Sequence, residues 1–126
     1  MTGGSEWQRA VQAVAVELHA RLERPLAVIV ATQDGLEVGA AGDKRLAPGR
    51  LAAITSSMSA IGDVVSKESG LGHVRCLTVE AELGYLVMRA TRRDGIGLVV
   101  AALVGRGALL GLAMHAVADA ARGLDR

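Results

Sequence analysis

Apolar side chains recur at helical spacing at Trp7, Val11, Val14, Leu18 and Leu22, and then the period shortens. Leu26 to Thr32 is rich in Val and Ile, Asp34-Gly35 follows, and Leu36 to Ala41 reads as a returning strand. That combination predicts a hairpin whose turn takes its positive φ angles from Asp34 and Gly35. Gly39 and Gly42 interrupt the second strand and point to a bulge or to a close backbone approach. A helical period returns from about Pro48 to Ser69, where Leu51, Ile54, Met58, Ile61 and Val65 fall within a stripe about 80° wide. This stripe is expected to cover a sheet. Three extended runs come next: His73 to Glu80, Tyr85 to Thr91 and Ile96 to Val104. Turns at Leu83-Gly84 and Asp94-Gly95 join them, so the sheet is expected to be antiparallel. The last run is apolar on both faces, as a central strand covered on both sides would be. A final helix, from about Ala108 to Leu124, presents Leu110, Ala113, Val117, Ala121 and Leu124. The order α-β-β-α-β-β-β-α predicts an α/β/α unit.

The element boundaries carry their own signals. Ser5 is placed to cap the first helix, and Arg24-Pro25 closes it near Glu23, because a residue before proline is pushed out of the helical region. Pro48 suits a first helical turn, and Gly70 suits a helix stop. Residues 1–6 read as a flexible lead and residues 7–124 as one domain, since 126 residues divided in two would leave pieces too small for independent cores. Within the strand His73 to Glu80, Arg75, Leu77 and Val79 share one face, opposite Val74, Cys76, Thr78 and Glu80.

The second helix carries a further face of small residues, Ala52, Ala53, Ser56 and Ala60. Two accounts fit it. Small side chains let two helix backbones approach closely, and an alanine-rich protein also leaves such residues in solvent.

Composition narrows the function classes. Trp7 and Tyr85 are the only aromatics, so the core is aliphatic, and no aromatic platform interleaves with a basic stripe. With a formal charge of +1 and dispersed charges, nucleic-acid binding is not expected. Cys76 is the only cysteine, which excludes an intramolecular disulfide and suits a reducing compartment. No apolar h-region opens the chain, and the longest apolar run, Ile96 to Gly105, is about half of what a membrane-spanning helix needs. These features predict a cytoplasmic protein with no membrane insertion.

Candidate chemistry is sparse. His73 and Cys76 stand three apart along a predicted strand, on opposite faces, so Cys76 reads as a buried core thiol. His19 and His115 have no second ligand three or four residues away, which argues against zinc. The triplets Gly70-Leu71-Gly72, Gly95-Ile96-Gly97 and Gly105-Arg106-Gly107 lie at element ends, where turns need glycine, and no phosphate-binding loop is present. Glu80 and Glu82 read as solvated rim residues, and Arg92-Arg93-Asp94 as a polar hairpin tip. No catalytic, cofactor-binding or metal-binding residue is assigned, no cofactor is expected, and an enzyme is not predicted.

The element order, together with the stretch Val28-Ile29-Val30-Ala31-Thr32-Gln33-Asp34-Gly35-Leu36-Glu37-Val38-Gly39, resembles the Roadblock / dynein light chain family, and within it the bacterial branch that regulates Ras-like GTPases. The resemblance spans about Trp7 to Leu124. It implies a profilin-like, three-layer α/β/α sandwich on a five-stranded antiparallel sheet, with helix two on one face and helices one and three on the other. It also implies a homodimer in which third strands pair edge to edge and second helices pack together. Ala53, Ser56, Ala60, His73, Arg75 and Leu77 are the dimer-interface candidates. The implied function is that of a non-enzymatic regulator or adaptor that binds a small Ras-like GTPase. A PAS-like small-ligand sensor is the alternative, because such domains also cover an antiparallel sheet with helices. An arginine acting on a GTPase in trans would need exposure, and Arg45, Arg50, Arg92, Arg93 and Arg106 lie in loops or helix starts.

Overall fold

Helix α1 (Thr2–Arg21) leads into the hairpin β1 (Pro25–Thr32) and β2 (Glu37–Gly42), and a short 3-10 turn precedes helix α2 (Pro48–Glu68). Strands β3 (Leu77–Ala81), β4 (Gly84–Arg93) and β5 (Ile96–Gly105) follow, and helix α3 (Leu110–Leu124) closes the chain. This computed structural model describes residues 2–126, with side chains from residue 6 onward. The five strands form one antiparallel sheet in the order β2-β1-β5-β4-β3. The expected α/β/α order is therefore observed, with β5 at the centre and almost wholly buried.

The aliphatic core divides around the sheet. On one face, Val28, Val30, Val87, Leu98, Val100 and Val104 meet Val11, Ala15 and Leu18 of α1 and Ala113, Val117 and Leu124 of α3. The helical periods read from the sequence are the periods buried here. On the other face, Ala27, Ile29 and Ala31 meet Ala52, and Met88, Val99 and Ala101 meet Met58 and Leu77. Alternation along each strand sends successive side chains to opposite helix layers.

Several boundaries differ from the expectation. The backbone is already helical from Thr2, so Ser5 lies inside α1 and is not its cap; Met1 of the expected lead lies outside the described residues. Arg24, before Pro25, lies outside the helix as expected, in the left-handed region (φ 46°), and its carbonyl accepts from Gly105 N–H at 2.8 Å. The two Asp-Gly turns are not alike. Asp94 and Gly95 both have positive φ (52° and 81°), the pattern of a two-residue hairpin turn, and Arg93 pairs with Ile96 across it. At the first turn only Gly35 is positive (94°), and Leu36 carbonyl accepts from Thr32 N–H across a longer loop.

The largest boundary correction concerns β3. It begins at Leu77, so His73, Val74, Arg75 and Cys76 form an approach segment and not the first half of a strand. The cause is the end of α2. Gly70 sits at φ 71°, its N–H donates to Lys67 carbonyl and Leu71 N–H to Ser66 carbonyl, the paired bonds of a Schellman stop. Ser66 Oγ then donates to Gly72 carbonyl, and Gly72 is itself left-handed at φ 82°. The chain is held against the helix for this stretch and reaches the sheet only at Leu77.

Candidate functional site: the outer flank of helix α2

Helix α2 seats on the sheet through a polar and small flank, which takes in Ala52 and Ser56 of the expected small face and leaves Ala53 and Ala60 exposed. Ala52, Thr55, Ser56 and Ser66 are its buried residues, and Ser56 retains only 5% exposure. Ser56 Oγ donates to Thr32 carbonyl at 2.7 Å, and Thr55 Oγ1 donates to Ala52 carbonyl at 3.2 Å, so both buried hydroxyls are satisfied. A Cβ built on Gly35 would meet the Ala53 backbone at 3.4 Å, so the hairpin loop also approaches this part of the helix closely.

This seating corrects the expected role of the apolar stripe. Leu51 and Met58 are half-buried against the sheet, whereas Ile54, Ile61 and Val65 are exposed, with Ile61 at 63%. Val64 and Leu71 join them in solvent, Leu71 at 76%. The physical reason is proximity. Ala52 and Ser56 let the helix axis settle near β1, and that roll carries Ile54, Ile61 and Val65 off the sheet. The two stripes compete for one surface, and in the observed seating Ser56 bonds to Thr32 carbonyl.

Ile61, Val65 and Leu71 line an open groove of about 890 Å³ between α2 and the 71–77 segment, walled also by Met58, Val74 and Leu77. His73, Arg75 and Cys76 lie along the same groove. Cys76 is half-buried, with Sγ 3.7 Å from Thr78 Oγ1, which replaces the expected fully buried strand thiol.

The interface candidates thus separate. Ala53, Ala60, His73 and Arg75 are exposed, Leu77 is half-buried in the groove wall, and Ser56 faces the protein's own sheet. Sequence reasoning missed Ile54, Ile61, Val64 and Leu71 as surface residues. The available signal was the presence of two buriable faces on one helix, of which only one can meet the sheet.

The charged groups form pairs elsewhere. On the opposite layer, Asp119 accepts from Arg21 at 3.1 Å and from Arg122, with His115 Nε2 at 3.4 Å, joining α1 to α3. The hydrogen bond from Arg21, helped by the charges of His115, Arg122 and Arg21 itself, holds the Asp119 carboxyl below the ordinary range. Asp43 is lowered likewise by its hydrogen bonds from Arg45. Arg92 Nη2 donates to Gly95 carbonyl at 2.6 Å, and Arg93, expected at a polar hairpin tip, is 92% covered. Arg93 Nη1 donates to Leu124 carbonyl at 3.1 Å, so it anchors the end of α3 and is unsuited to reaching a partner. Glu80 and Glu82 are exposed, as expected of rim residues. Among the described residues, no group of three His, Cys, Asp or Glu side chains could hold a metal ion, and no helix is long and apolar enough to cross a membrane.

No family model matches the sequence, and no curated protein matches it either. Solved structures do match its fold. MglB of Myxococcus xanthus superposes with a TM-score of 0.81 at 19% identity, over 93% of this chain and 86% of that one. A Roadblock/LC7 domain from Streptomyces avermitilis gives 0.74 at 22% identity, over 88% and 91%. An MglB with a tetrameric arrangement gives 0.69 at 16% identity, over 92% and 90%. At these identities the likeness is one of architecture, and with the sheet order and helix layers described above it gives this chain the Roadblock/LC7 fold of the MglB kind.

Proposed function

We propose that this protein is a non-enzymatic regulator or adaptor that works as a homodimer and engages a small Ras-like GTPase. The observation that carries the reading is the apolar outer flank of α2, presented on a Roadblock/LC7 fold. Contiguous apolar surface of this kind marks an interaction site. A second copy is the occupant that fits it best, because the groove runs into β3, which ends the sheet and has a strand edge able to pair with its own copy.

Magnitudes support using both features. Full burial of a Val, Leu or Ile side chain is worth about 1.5–3 kcal/mol. Ile61, Val65 and Leu71, contributed by both protomers, would give at most about 9–18 kcal/mol, comparable with the cost of association, about 4–15 kcal/mol. Strand pairing at β3 would supply the surplus. Of the interface candidates, Ala53, Ala60, His73, Arg75 and Leu77 remain, and Ile61, Val65 and Leu71 take the place of Ser56. Ala60→Arg puts a bulky charge into the helix contact and weakens association. A monomeric wild type by light scattering at micromolar concentration overturns the dimer.

The GTPase reading rests on the family resemblance and on an architecture shared with MglB. A binder that prefers one switch conformation shifts the GTPase equilibrium without contributing a catalytic group. This reading places the protein in the cytoplasm, with no cofactor and no nucleic-acid partner. The test is a titration against small Ras-like GTPases of the same organism, loaded with GDP or with a GTP analogue, followed by a hydrolysis assay. Binding in neither state overturns the reading; equal binding in both leaves a scaffold. The small-ligand sensor draws on the same groove, whose volume is ligand-sized. Saturable uptake of an apolar probe by the associated wild-type protein would favour that alternative.

A further inference from the structure

The two edges of the sheet are not equivalent. On β2, the main chain of Ala40 is bonded on its outer side by a single side chain. Gln12 Nε2 of α1 donates to Ala40 carbonyl at 2.7 Å, and Ala40 N–H donates to Gln12 Oε1 at 2.9 Å. Ala40 lies across from Ile29 of β1, yet both its polar main-chain groups turn outward, as at a non-hydrogen-bonded position of an antiparallel pair. The Gln12 amide, one donor and one acceptor side by side, takes the place that a neighbouring strand's peptide group would occupy.

The neighbouring residue makes this contact possible. A Cβ on Gly39 would lie 3.2 Å from Val11 Cγ1 and 3.3 Å from Val11 carbonyl oxygen, so a side chain here would crowd α1 by a few tenths of an ångström, and glycine gives the α1 backbone its close approach to β2. At the other end of the sheet β3 pairs with β4, and among the described residues no side-chain clamp of this kind bonds its outer main chain.

We infer that Gln12 is an edge guard: its amide closes the central outward-facing pair of β2, so that the sheet can be extended by a second copy only at β3. The restriction to β3 rests on the homodimer reading, but the guarding of β2 does not. An open edge at both ends would allow copies to add indefinitely, whereas one open edge stops at a pair.

The test compares the wild type with Gln12→Ala and Gln12→Glu. Gln12 is exposed, so neither variant empties a core position, and Glu keeps the acceptor for Ala40 N–H. Hydrogen exchange of the Ala40 amide reads the clamp, and sedimentation velocity over a wide concentration range reads the edge. In Gln12→Ala the amide exchanges about tenfold faster, the equivalent of one lost hydrogen bond, and species larger than the wild type grow with concentration. In Gln12→Glu the amide stays protected. Wild-type exchange in Gln12→Ala overturns the clamp, and faster exchange with unchanged mass overturns the guarding role. A monomeric wild type removes the homodimer reading by itself, while new association in Gln12→Ala still supports the guard.

Discussion

Ser56 Oγ, in the middle of α2, donates to the main-chain oxygen of Thr32, at the end of β1, across 2.7 Å. The same oxygen accepts from Gly35 N–H at 3.0 Å, so one hairpin carbonyl has both lone pairs used and ties the turn to the helix in its observed roll. Everything exposed on the far flank of α2 follows from that orientation.

Ser56→Ala should lower stability by about 1 kcal/mol, the net worth of a hydrogen bond whose acceptor keeps a second partner. Ser56→Leu overfills the tight helix–sheet contact and should cost about 1–3 kcal/mol. Urea denaturation reads both, and a Leu variant as stable as the wild type would contradict the close seating.

Ile61→Asp and Val65→Asp act on exposed side chains and should leave the fold's stability within about 0.5 kcal/mol of the protomer's own value. Their effect should fall on self-association. Sedimentation velocity should give lighter species for both, while circular dichroism stays unchanged; loss of folded signal would place these residues in the core after all.

Arg93→Ala removes a buried guanidinium and its bond to Leu124 carbonyl. A hydrogen bond from a charged group contributes about 1.5–3 kcal/mol, and the variant should lose a comparable amount. Amide exchange should speed up first at the end of α3, including Asp125, whose N–H bonds to Ala121 carbonyl at 3.1 Å. Equal destabilisation of every helix would show that Arg93 acts on the whole fold and not on this end.

Asp119 gives a pH dependence of defined sign. Its folded pKa lies below the ordinary value, so the α1–α3 link is fully present above the unfolded carboxylate range, near pH 4, and is lost as the pH falls through the depressed value. Asp119→Asn should therefore lower the melting temperature at neutral pH and converge with the wild type in acid. Parallel curves at all pH values would show that the carboxylate charge is not what joins Arg21 to Asp119.

The chain's own pattern determined the element order, the antiparallel sheet and the buried faces of α1 and α3. Val11, Leu18, Ala113, Val117 and Leu124 sit where their periods placed them, because each of those helices has only one face able to enter a core. Gly39 was legible as a bulge or a close approach for a similar reason, and both are found there: the register shifts beside it and α1 comes close. The roll of α2 was not legible, since Leu51, Ile54, Met58, Ile61 and Val65 make an equally good buried stripe in one dimension. Only the folded hairpin, by placing Thr32 carbonyl and Gly35 beside the helix, brings Ala52 and Ser56 onto the sheet, with Ile61 and Val65 turned outward. The start of β3 and the clamp on β2 have the same origin. Ser66 to Gly72 and Gln12 to Ala40 are contacts between elements, made by polar side chains with no period to announce them, and they exist only once the layers have met.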